Sequence, residues 1–142
     1  MLIRPAGEAD VAALAEIEKE AFSVDPWPKG SFLKYDCWVA DLDGQVAGFL
    51  VSRETYAGEK ETPPEREILN LAVATGFRRQ GIATLLLRRE LTRKADFFLE
   101  VRESNTAART LYGKLGFAEI ARRDGYYHQP NETAIVMKMK WC

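Results

Sequence analysis

The sequence predicts a mixed α/β protein in which helical crossovers link the middle strands of a sheet. The first observation is that short apolar segments of strand type alternate with segments of helical spacing along most of the chain. The second is that one strand leads through a glycine turn directly into a helix, within residues 67–87. The third is the length of 142 residues, which suits one domain with a substantial core. We therefore expect a single domain over residues 1–142.

The chain begins with a predicted strand and two predicted helices. Leu2–Arg4 is a short strand that Pro5 brings to an end. From Asp10 to Phe22 the apolar residues recur at helical spacing, and Glu18 is among the charged residues assigned to the opposite face. Pro28 is suited to the first position of a short second helix, because its missing N–H costs nothing there.

A hairpin and a long loop are predicted next. The dipeptide Asp43-Gly44 between two segments of strand type is a strong signal for a two-residue hairpin turn. The two strands of that hairpin are Trp38–Leu42 and Val46–Ser52. The stretch Glu54–Arg66 is polar and contains two consecutive prolines, which favours a mobile loop.

Residues 67–87 change from strand character to helix character. The almost continuous apolar run Ile68–Val73 is typical of a strand that is buried on both faces. Gly81 gives the backbone of the following turn its freedom. A helix is predicted from Ile82 to about Lys94.

A strand, a helix and a final pair of strands complete the predicted order. Phe97–Arg102 is a strand, and Asn105 or Ser104 can cap the helix Thr106–Leu115 that follows. Gly116 is placed to end that helix. The last two strands, joined by a loop that carries tyrosines, are Ala118–Arg123 and Ala134–Lys140.

Composition excludes several classes of function. The net charge is −1, so the chain lacks the overall basic field that holds nucleic acid by counterion release. No apolar run is long enough to span a bilayer, and the N-terminus lacks a signal-peptide pattern. Cys37, Cys142 and the single His128 have no metal-binding or redox spacing. We therefore expect a cytoplasmic protein with no metal, no direct nucleic-acid binding and no membrane association.

The turn before the second half of the chain is a candidate anion site. The first N–H groups of a helix have no intrahelical partner, and the helix dipole is positive at that end. Arg78 and Arg79 add guanidinium groups that bind phosphate with two hydrogen bonds. The turn matches neither a P-loop nor a dinucleotide-binding fingerprint. The turn alone is equally compatible with an ordinary solvated, basic helix start.

Glu100 is a candidate for proton transfer. In the strand F-F-L-E-V it shares a face with Phe98, and a carboxylate in an apolar strand is costly unless it is paired, hydrogen-bonded or protonated. The pattern alone favours a structural ion pair with Arg102 or a nearby arginine.

Aromatic residues offer further candidates. Tyr112 lies about two turns into its helix, at the border of the buried face, where the pattern alone favours a core-edge residue with its hydroxyl in water. Trp27, Tyr126 and Tyr127 occur in turn-like loops. They suit the rim of a peptide groove and, equally, loop anchors that pack on the core.

These segments, in this order, resemble the GNAT family of N-acetyltransferases. The motif [Q/R]-x-x-G-x-[G/A] of that family matches Arg78–Ala83. The other matching segments are Ile68–Val73, Leu99–Asn105, Ala108–Phe117, Pro26-Trp27 and Arg122–Tyr127, so that the resemblance covers nearly the whole chain. More narrowly, the chain resembles the bacterial ribosomal-protein-alanine N-acetyltransferases and related N-terminal acetyltransferases. One departure is Thr75, where the family often has proline.

The resemblance implies the GNAT fold, a mixed and mostly antiparallel sheet of about seven strands with flanking helices. It implies Glu100 as general base and Tyr112 as general acid, with Glu67 as a rival carboxylate. It implies that Trp27, Glu67, Tyr126 and Tyr127 contact the substrate. The residues that it implies for binding acetyl-CoA are Leu71, Ala72, Val73, Arg78, Arg79, Gln80, Gly81, Ile82, Ala83, Thr84 and Asn105.

The acceptor implied by the resemblance is a protein N-terminus, with an alanine-initiated ribosomal protein as the first candidate. Two alternatives remain open from the sequence. One is acetylation of a lysine side chain or a small amine with the same cofactor. The other is a CoA-binding interaction module with little turnover.

Overall fold

The computed structural model describes residues 1–21, 31–128 and 131–141. Its strands and helices follow the predicted order. The strands are β1 (Leu2–Pro5), β2 (Asp36–Leu42), β3 (Gln45–Tyr56), β4 (Glu65–Val73), β5 (Asp96–Arg102), β6 (Ala118–Tyr127) and β7 (Glu132–Met139). The helices are α1 (Val11–Ala21), α2 (Ser31–Lys34), α3 (Ile82–Glu90) and α4 (Thr106–Lys114). Pro28, predicted to start α2, lies outside the described residues.

The strands form a seven-stranded sheet in the order β1-β2-β3-β4-β5-β7-β6. β4 and β5 are parallel, and their ladder runs from the pair Glu65–Asp96 to the pair Ile68–Leu99. α3 lies between these two strands in the chain, as a parallel connection requires. The β1–β2, β2–β3, β5–β7 and β6–β7 pairs are antiparallel. The predicted mixed and mostly antiparallel sheet is therefore confirmed.

Two compact units divide the chain. The first contains residues 1–53 and 69–93, and the second contains residues 54–68 and 94–142. A core cluster of the first unit contains Leu14, Ile17, Phe32, Cys37, Val39, Phe49, Val51 and Ala72. Buried residues of the second unit include Phe97, Leu99, Val101, Tyr112, Phe117, Ala134, Ile135 and Met137. The expectation of one domain over residues 1–142 stays a prediction.

The hairpin between β2 and β3 has the turn that its dipeptide predicts. Asp43 and Gly44 both have positive φ, 52° and 87°, as the two central residues of a type I′ turn require. The Oδ1 atom of Asp41 accepts a 2.7 Å hydrogen bond from the N–H of Gly44. Leu42 and Gln45 form the closing pair of the ladder.

The structure corrects the loop predicted over Glu54–Arg66. β3 continues to Tyr56 and β4 already starts at Glu65, with a small antiparallel bridge between Glu59 and Thr62. The end of β3 is polar because its side chains there are exposed, and a strand with a solvated face accepts charged residues. Polarity alone was therefore a poor guide to where the strand ends.

The prediction of a loop that carries the tyrosines is also wrong, because Tyr126 and Tyr127 belong to strand β6. The β6–β7 register is irregular between Arg123 and Tyr127, and Gly125 within that interval has a φ of 64°. An irregularity of this kind adds residues to one strand without ending the pairing. Glycine and aspartate before the tyrosines therefore mark a distorted strand and not a loop.

Burial along β4 alternates instead of covering both faces. Arg66, Ile68, Asn70 and Ala72 are buried, whereas the residues between them are half-buried. The predicted burial on both faces is therefore wrong for this strand. The alternation places Asn70 at a buried position, which the apolar run in the sequence does not predict.

Two helices of the first unit, α1 and α3, differ from prediction in detail. Glu18 was assigned to the polar face of α1, yet it is 2% exposed. α3 ends at Glu90 and not near Lys94, and Leu85 on it is largely exposed. The buried face of α3 consists of Ile82, Leu86, Leu87 and Glu90.

Candidate active site

A cleft of about 330 Å³ lies at the start of α3, in the first unit. It is lined by Val73, Phe77, Arg78, Arg79, Gly81, Ile82, Ala83 and Thr84. The structure thus brings together the turn residues that the resemblance implied for cofactor binding. Gln80 is exposed in the same turn, whereas Leu71 and Ala72 lie in β4, which leads into it.

The turn before α3 is built to present backbone N–H groups. Arg79 and Gly81 have left-handed φ values of 64° and 76°, and Gly81 is the N-cap of the helix. The helix begins where the N–H of Leu85 donates to the carbonyl oxygen of Gly81 at 3.1 Å. Gly81 has no side chain that could accept from the first N–H groups, so these groups are left as donors for an anion at a turn that lines the cleft. The exposed guanidinium groups of Arg78 and Arg79 add positive charge there.

Gly48 allows the backbone of β3 to approach the end of β4 closely. A Cβ atom at this position would lie 2.9 Å from the carbonyl oxygen of Ala72, closer than real Cβ contacts. One residue along, the N–H of Ala74 donates to the carbonyl oxygen of Ala47 at 2.8 Å. Sequence reasoning missed this glycine, although an isolated glycine inside a strand pattern is a signal for close backbone approach.

Two carboxylates of α1 hold β4 and the turn after it. The Oε2 atom of Glu18 accepts from Asn70, and the Oε2 atom of Glu20 accepts a 2.7 Å hydrogen bond from the hydroxyl of Thr75. Asn70 and Thr75 flank the segment Leu71–Val73. Thr75, the departure from the family pattern, therefore has a structural contact of its own.

The second set of predicted site residues belongs to the second unit. Glu100 lies on β5 opposite Val136 of β7, and its side chain is 19% exposed. Its Oε1 atom accepts a 2.9 Å hydrogen bond from Nη1 of Arg123. Its Oε2 atom is buried and has no hydrogen-bond partner among the described residues. The ion pair expected with Arg102 or a nearby arginine is present, and Arg123 is the arginine that forms it.

The predicted substrate tyrosines stack with two arginines. The guanidinium carbon of Arg123 lies 4.3 Å from the ring centre of Tyr126, and that of Arg102 lies 4.4 Å from the ring centre of Tyr127. The two tyrosine rings meet edge to face, with their centres 5.1 Å apart. Arg102 is further held by Glu132, whose Oε1 atom lies 3.3 Å from its Nη1 atom. We call Arg123, Tyr126, Tyr127 and Arg102 the arginine–tyrosine stack.

The pKa values of the two tyrosines reflect their burial and the charges around them. Burial and then the charge of Glu100 raise the pKa of Tyr127 to about 12. Burial, followed by Glu100, also raises the pKa of Tyr126, and Glu67 contributes in the same direction. Two carboxylates therefore act on Tyr126, and both were predicted as site residues. Glu67 itself is half-buried on β4, opposite Phe98.

Tyr112 is buried, which corrects the expectation of a hydroxyl in water. It is 9% exposed, and its ring contacts that of Phe117 edge to face at 5.8 Å. Burial raises its pKa to about 12, so the phenol keeps its proton at neutral pH. A protonated phenol is able to donate a proton to a leaving group.

Asn105 is the N-cap of α4, which confirms one of the two caps left open by the sequence. Its Oδ1 atom accepts a 3.2 Å hydrogen bond from the N–H of Ala108. The side chain is exposed, and its amide nitrogen is left as a donor for a ligand. Its role in cofactor binding stays a prediction.

Three other expectations concern Trp27, metal binding and membrane-spanning helices. Trp27 lies outside the described residues. Within residues 1–21, 31–128 and 131–141, no cluster of three or more metal-ligating side chains occurs. In that same part of the chain, none of the helices has the length and apolar character that crossing a bilayer requires.

Comparison with known proteins identifies the family. The model of the acetyltransferase (GNAT) family matches residues 11–117. The chain is 33% identical to the [ribosomal protein bS18]-alanine N-acetyltransferase of Haemophilus ducreyi, over 93% of this chain and 94% of that protein. It is 32% identical to the N-alpha-acetyltransferase RimI of Mycobacterium tuberculosis, over 92% of this chain and 86% of that protein.

Solved structures agree with this assignment. The crystal structure of the ribosomal-protein-S18-alanine N-acetyltransferase from Escherichia coli superimposes with a TM-score of 0.82 and 30% identity, covering 97% of this chain and 92% of that one. The family motif, the relatives and the fold therefore all lead to one assignment. The chain belongs to the GNAT family of N-acetyltransferases and is an enzyme of that class.

Proposed function

We propose that this enzyme transfers the acetyl group of acetyl-CoA to the N-terminal α-amine of a protein, and that an alanine-initiated ribosomal protein is its acceptor. The observation that carries the proposal is that relatives named bS18-alanine N-acetyltransferases match more than nine-tenths of the chain at 32–33% identity. The cleft at α3 and the ionisable cluster around Glu100 support it from the structural side.

The residues of the first unit suit the pyrophosphate and the pantetheine arm of the cofactor. A pyrophosphate fits donors from a helix N-terminus combined with arginine forks, and the cleft offers both. Residues 78–84 would hold the pyrophosphate, and Leu71, Ala72 and Val73 would bind the pantetheine arm through backbone groups. Asn105, the N-cap of α4, would also bind the cofactor. Acetyl-CoA supplies the thioester that is cleaved.

The residues of the second unit would move the protons. Glu100 would take a proton from the acceptor amine, directly or through a water molecule, so that the nitrogen can form its bond to the acetyl carbon. As the carbon–sulfur bond breaks, Tyr112 would donate the proton of its hydroxyl to the sulfur. A backbone N–H of β4 would polarise the acetyl carbonyl. A neutral amine thus loses one proton to Glu100 and the thiolate gains one from Tyr112, and the cycle closes when Glu100 releases its proton to solvent and Tyr112 takes one up from it.

The proposed acceptor fits a weak base. An α-amine has a pKa of about 8, whereas a lysine amine has a pKa of about 10.4. At neutral pH a useful fraction of an α-amine is already neutral, so a carboxylate is sufficient to remove the remaining proton. A lysine acceptor would depend more strongly on the base, because a smaller fraction of its amine is neutral at neutral pH. Glu100, the aromatic side chains beside it and the second carboxylate Glu67 would receive the N-terminus, which reacts as its neutral amine.

Kinetics of two conservative variants test the proposed roles. Glu100→Gln and Tyr112→Phe should each lower kcat on an alanine-initiated peptide by about 100-fold, in the range of general acid–base catalysis. Both should bind CoA as tightly as the wild-type chain in calorimetry. If both variants keep full activity, the assignment fails, and Glu67→Gln becomes the next variant.

Activity itself tests the function. The wild-type enzyme should consume acetyl-CoA when an alanine-initiated peptide is added. Tight CoA binding without consumption on any α-amine, lysine or small-amine acceptor would instead support a binding module. Consumption with small amines alone would contradict the proposed protein acceptor.

A further inference from the structure

The two oxygens of the Glu100 carboxylate differ in their hydrogen bonds. Among the described residues Arg123 donates to Oε1 at 2.9 Å, and no residue donates to Oε2, which is buried. A buried oxygen of a charged carboxylate costs free energy when nothing compensates its charge. Arg123 supplies a formal positive charge in hydrogen-bond contact with the same carboxylate. The neighbouring Tyr126 also interacts with the Glu100 carboxylate through its hydroxyl, but neither Tyr126 nor Tyr127 brings a positive charge.

Arg123 reaches Glu100 from a distorted part of β6. Residues three positions apart in a regular strand lie on opposite faces, yet the guanidinium of Arg123 lies 4.3 Å from the ring centre of Tyr126. The register irregularity and the left-handed Gly125 between them account for this arrangement. Such irregularities re-aim side chains beside active sites. Tyr126 thus supports the guanidinium from one side while Glu100 binds it from another.

We propose that Arg123 is a positioning residue for catalysis, which fixes the orientation of the Glu100 carboxylate and compensates its charge. The inference rests on the proposed role of Glu100 as general base. It goes beyond that role because it assigns the support of the base to a residue on another strand. Arg123 acts through Glu100 and does not itself transfer a proton.

The neighbouring arginine provides a matched control. Arg122 has the same side chain and similar exposure, 50% against 54% for Arg123. It forms ion pairs with Glu103 and Glu119 and has no described contact with Glu100. Loss of a surface ion pair alone is therefore measured by Arg122→Gln.

Steady-state kinetics with four new variants, compared with the wild type and with Glu100→Gln, test the proposal. Arg123→Gln should lower kcat about tenfold and leave the KM for acetyl-CoA close to wild type, with a modest fall in melting temperature because Glu100 loses its counter-charge. Arg123→Lys, which keeps the charge but loses the planar fork, should recover part of that loss. Arg122→Gln should stay within twofold of wild type. The double variant Glu100→Gln/Arg123→Gln should be no slower than Glu100→Gln by more than twofold, because both changes disable the same group.

Each outcome has a distinct meaning. Equal rates for Arg123→Gln and Arg122→Gln would overturn the proposal, and so would multiplicative losses in the double variant. A lysine variant that is as slow as the glutamine variant and also melts at a lower temperature than it would assign Arg123 to folding instead. Full activity of Glu100→Gln would overturn the general-base role itself, and that result is read from a variant that leaves Arg123 intact.

Discussion

Nδ2 of Asn70 donates a 2.5 Å hydrogen bond to Oε2 of Glu18, and both residues are buried. The two residues are 52 positions apart, on β4 and α1. A buried carboxylate needs such donors, since its charge is otherwise costly in the interior. The pair therefore fixes α1 against the strand that carries Leu71, Ala72 and Val73.

Truncation of this pair should destabilise the fold. We expect Asn70→Ala to lower the free energy of unfolding by about 2–3 kcal/mol, because it leaves a buried carboxylate with one donor fewer. Urea denaturation followed by circular dichroism measures this change. Glu16→Ala is the control, since Glu16 is exposed on the same helix, and it should stay within about 0.5 kcal/mol of wild type. Equal losses of unfolding free energy in the two variants would show that the buried pair contributes no more stability than the exposed Glu16.

Two glycine variants should behave in opposite ways. Gly48→Ala should destabilise the chain by about 1–3 kcal/mol, because its Cβ would meet the backbone of Ala72 and force β3 and β4 apart. It should also weaken CoA binding, since Leu71–Val73 would shift. Gly76→Ala places its Cβ in open space, with no left-handed φ, and should be tolerated or slightly stabilising. Thermal unfolding and calorimetry with CoA measure both effects. Unchanged CoA affinity in Gly48→Ala would separate the strand geometry from cofactor binding.

The charge at the turn before α3 should appear in CoA affinity. Arg79→Gln should raise the Kd for CoA by about 10- to 100-fold, because a charge-assisted hydrogen bond to phosphate contributes about 1.5–3 kcal/mol. The wild-type affinity should fall as salt is added. Arg88→Gln, an exposed change near the other end of the same helix, should leave the Kd unchanged. Equal affinities for the wild-type chain and Arg79→Gln in calorimetry would move the pyrophosphate away from this turn.

The buried phenol of Tyr112 should add a pH dependence to stability. Its pKa is raised to about 12 by burial, whereas in the unfolded chain a tyrosine has a pKa of about 10. Between these values the unfolded chain has released the proton and the folded chain still holds it. Stability is therefore complete below pH 10 and is lost as the pH rises from about 10 to 12, by roughly 2–3 kcal/mol in total. Tyr112→Phe should reduce this loss in urea denaturation at pH 9 and pH 11, and an unchanged slope would contradict the burial of the phenol.

The sequence predicts the fold well where the signals are local. The dipeptide Asp43-Gly44, the helix stop at Gly116 and the strand–turn–helix unit all fix backbone conformation through residues close in the chain. These signals were sufficient for the order of the elements. The resemblance to the GNAT family then supplied the sheet and the enzyme class.

Contacts between distant residues explain what was missed. Glu18 is charged and was assigned to solvent, because its partner Asn70 comes from a strand far along the chain. Arg123 could be recognised as basic, but its contact with Glu100 depends on the order β5-β7-β6 and on a distortion of β6. Local periodicity contains neither kind of information. The strand that includes Tyr126 was mistaken for a loop for the same reason, because pairing with β7 overrides its turn-forming residues.

The central claim is that the enzyme acetylates an α-amine, and regiochemistry tests it most directly. A peptide that begins with alanine and contains one internal lysine offers both amines in the same molecule. After incubation with acetyl-CoA, fragmentation mass spectrometry locates the added acetyl group. We predict that it lies on the N-terminal alanine and that a second peptide with a blocked N-terminus stays unmodified. An acetyl group on the lysine of the first peptide with its alanine amine left free, or on the lysine of the blocked peptide, would contradict the account.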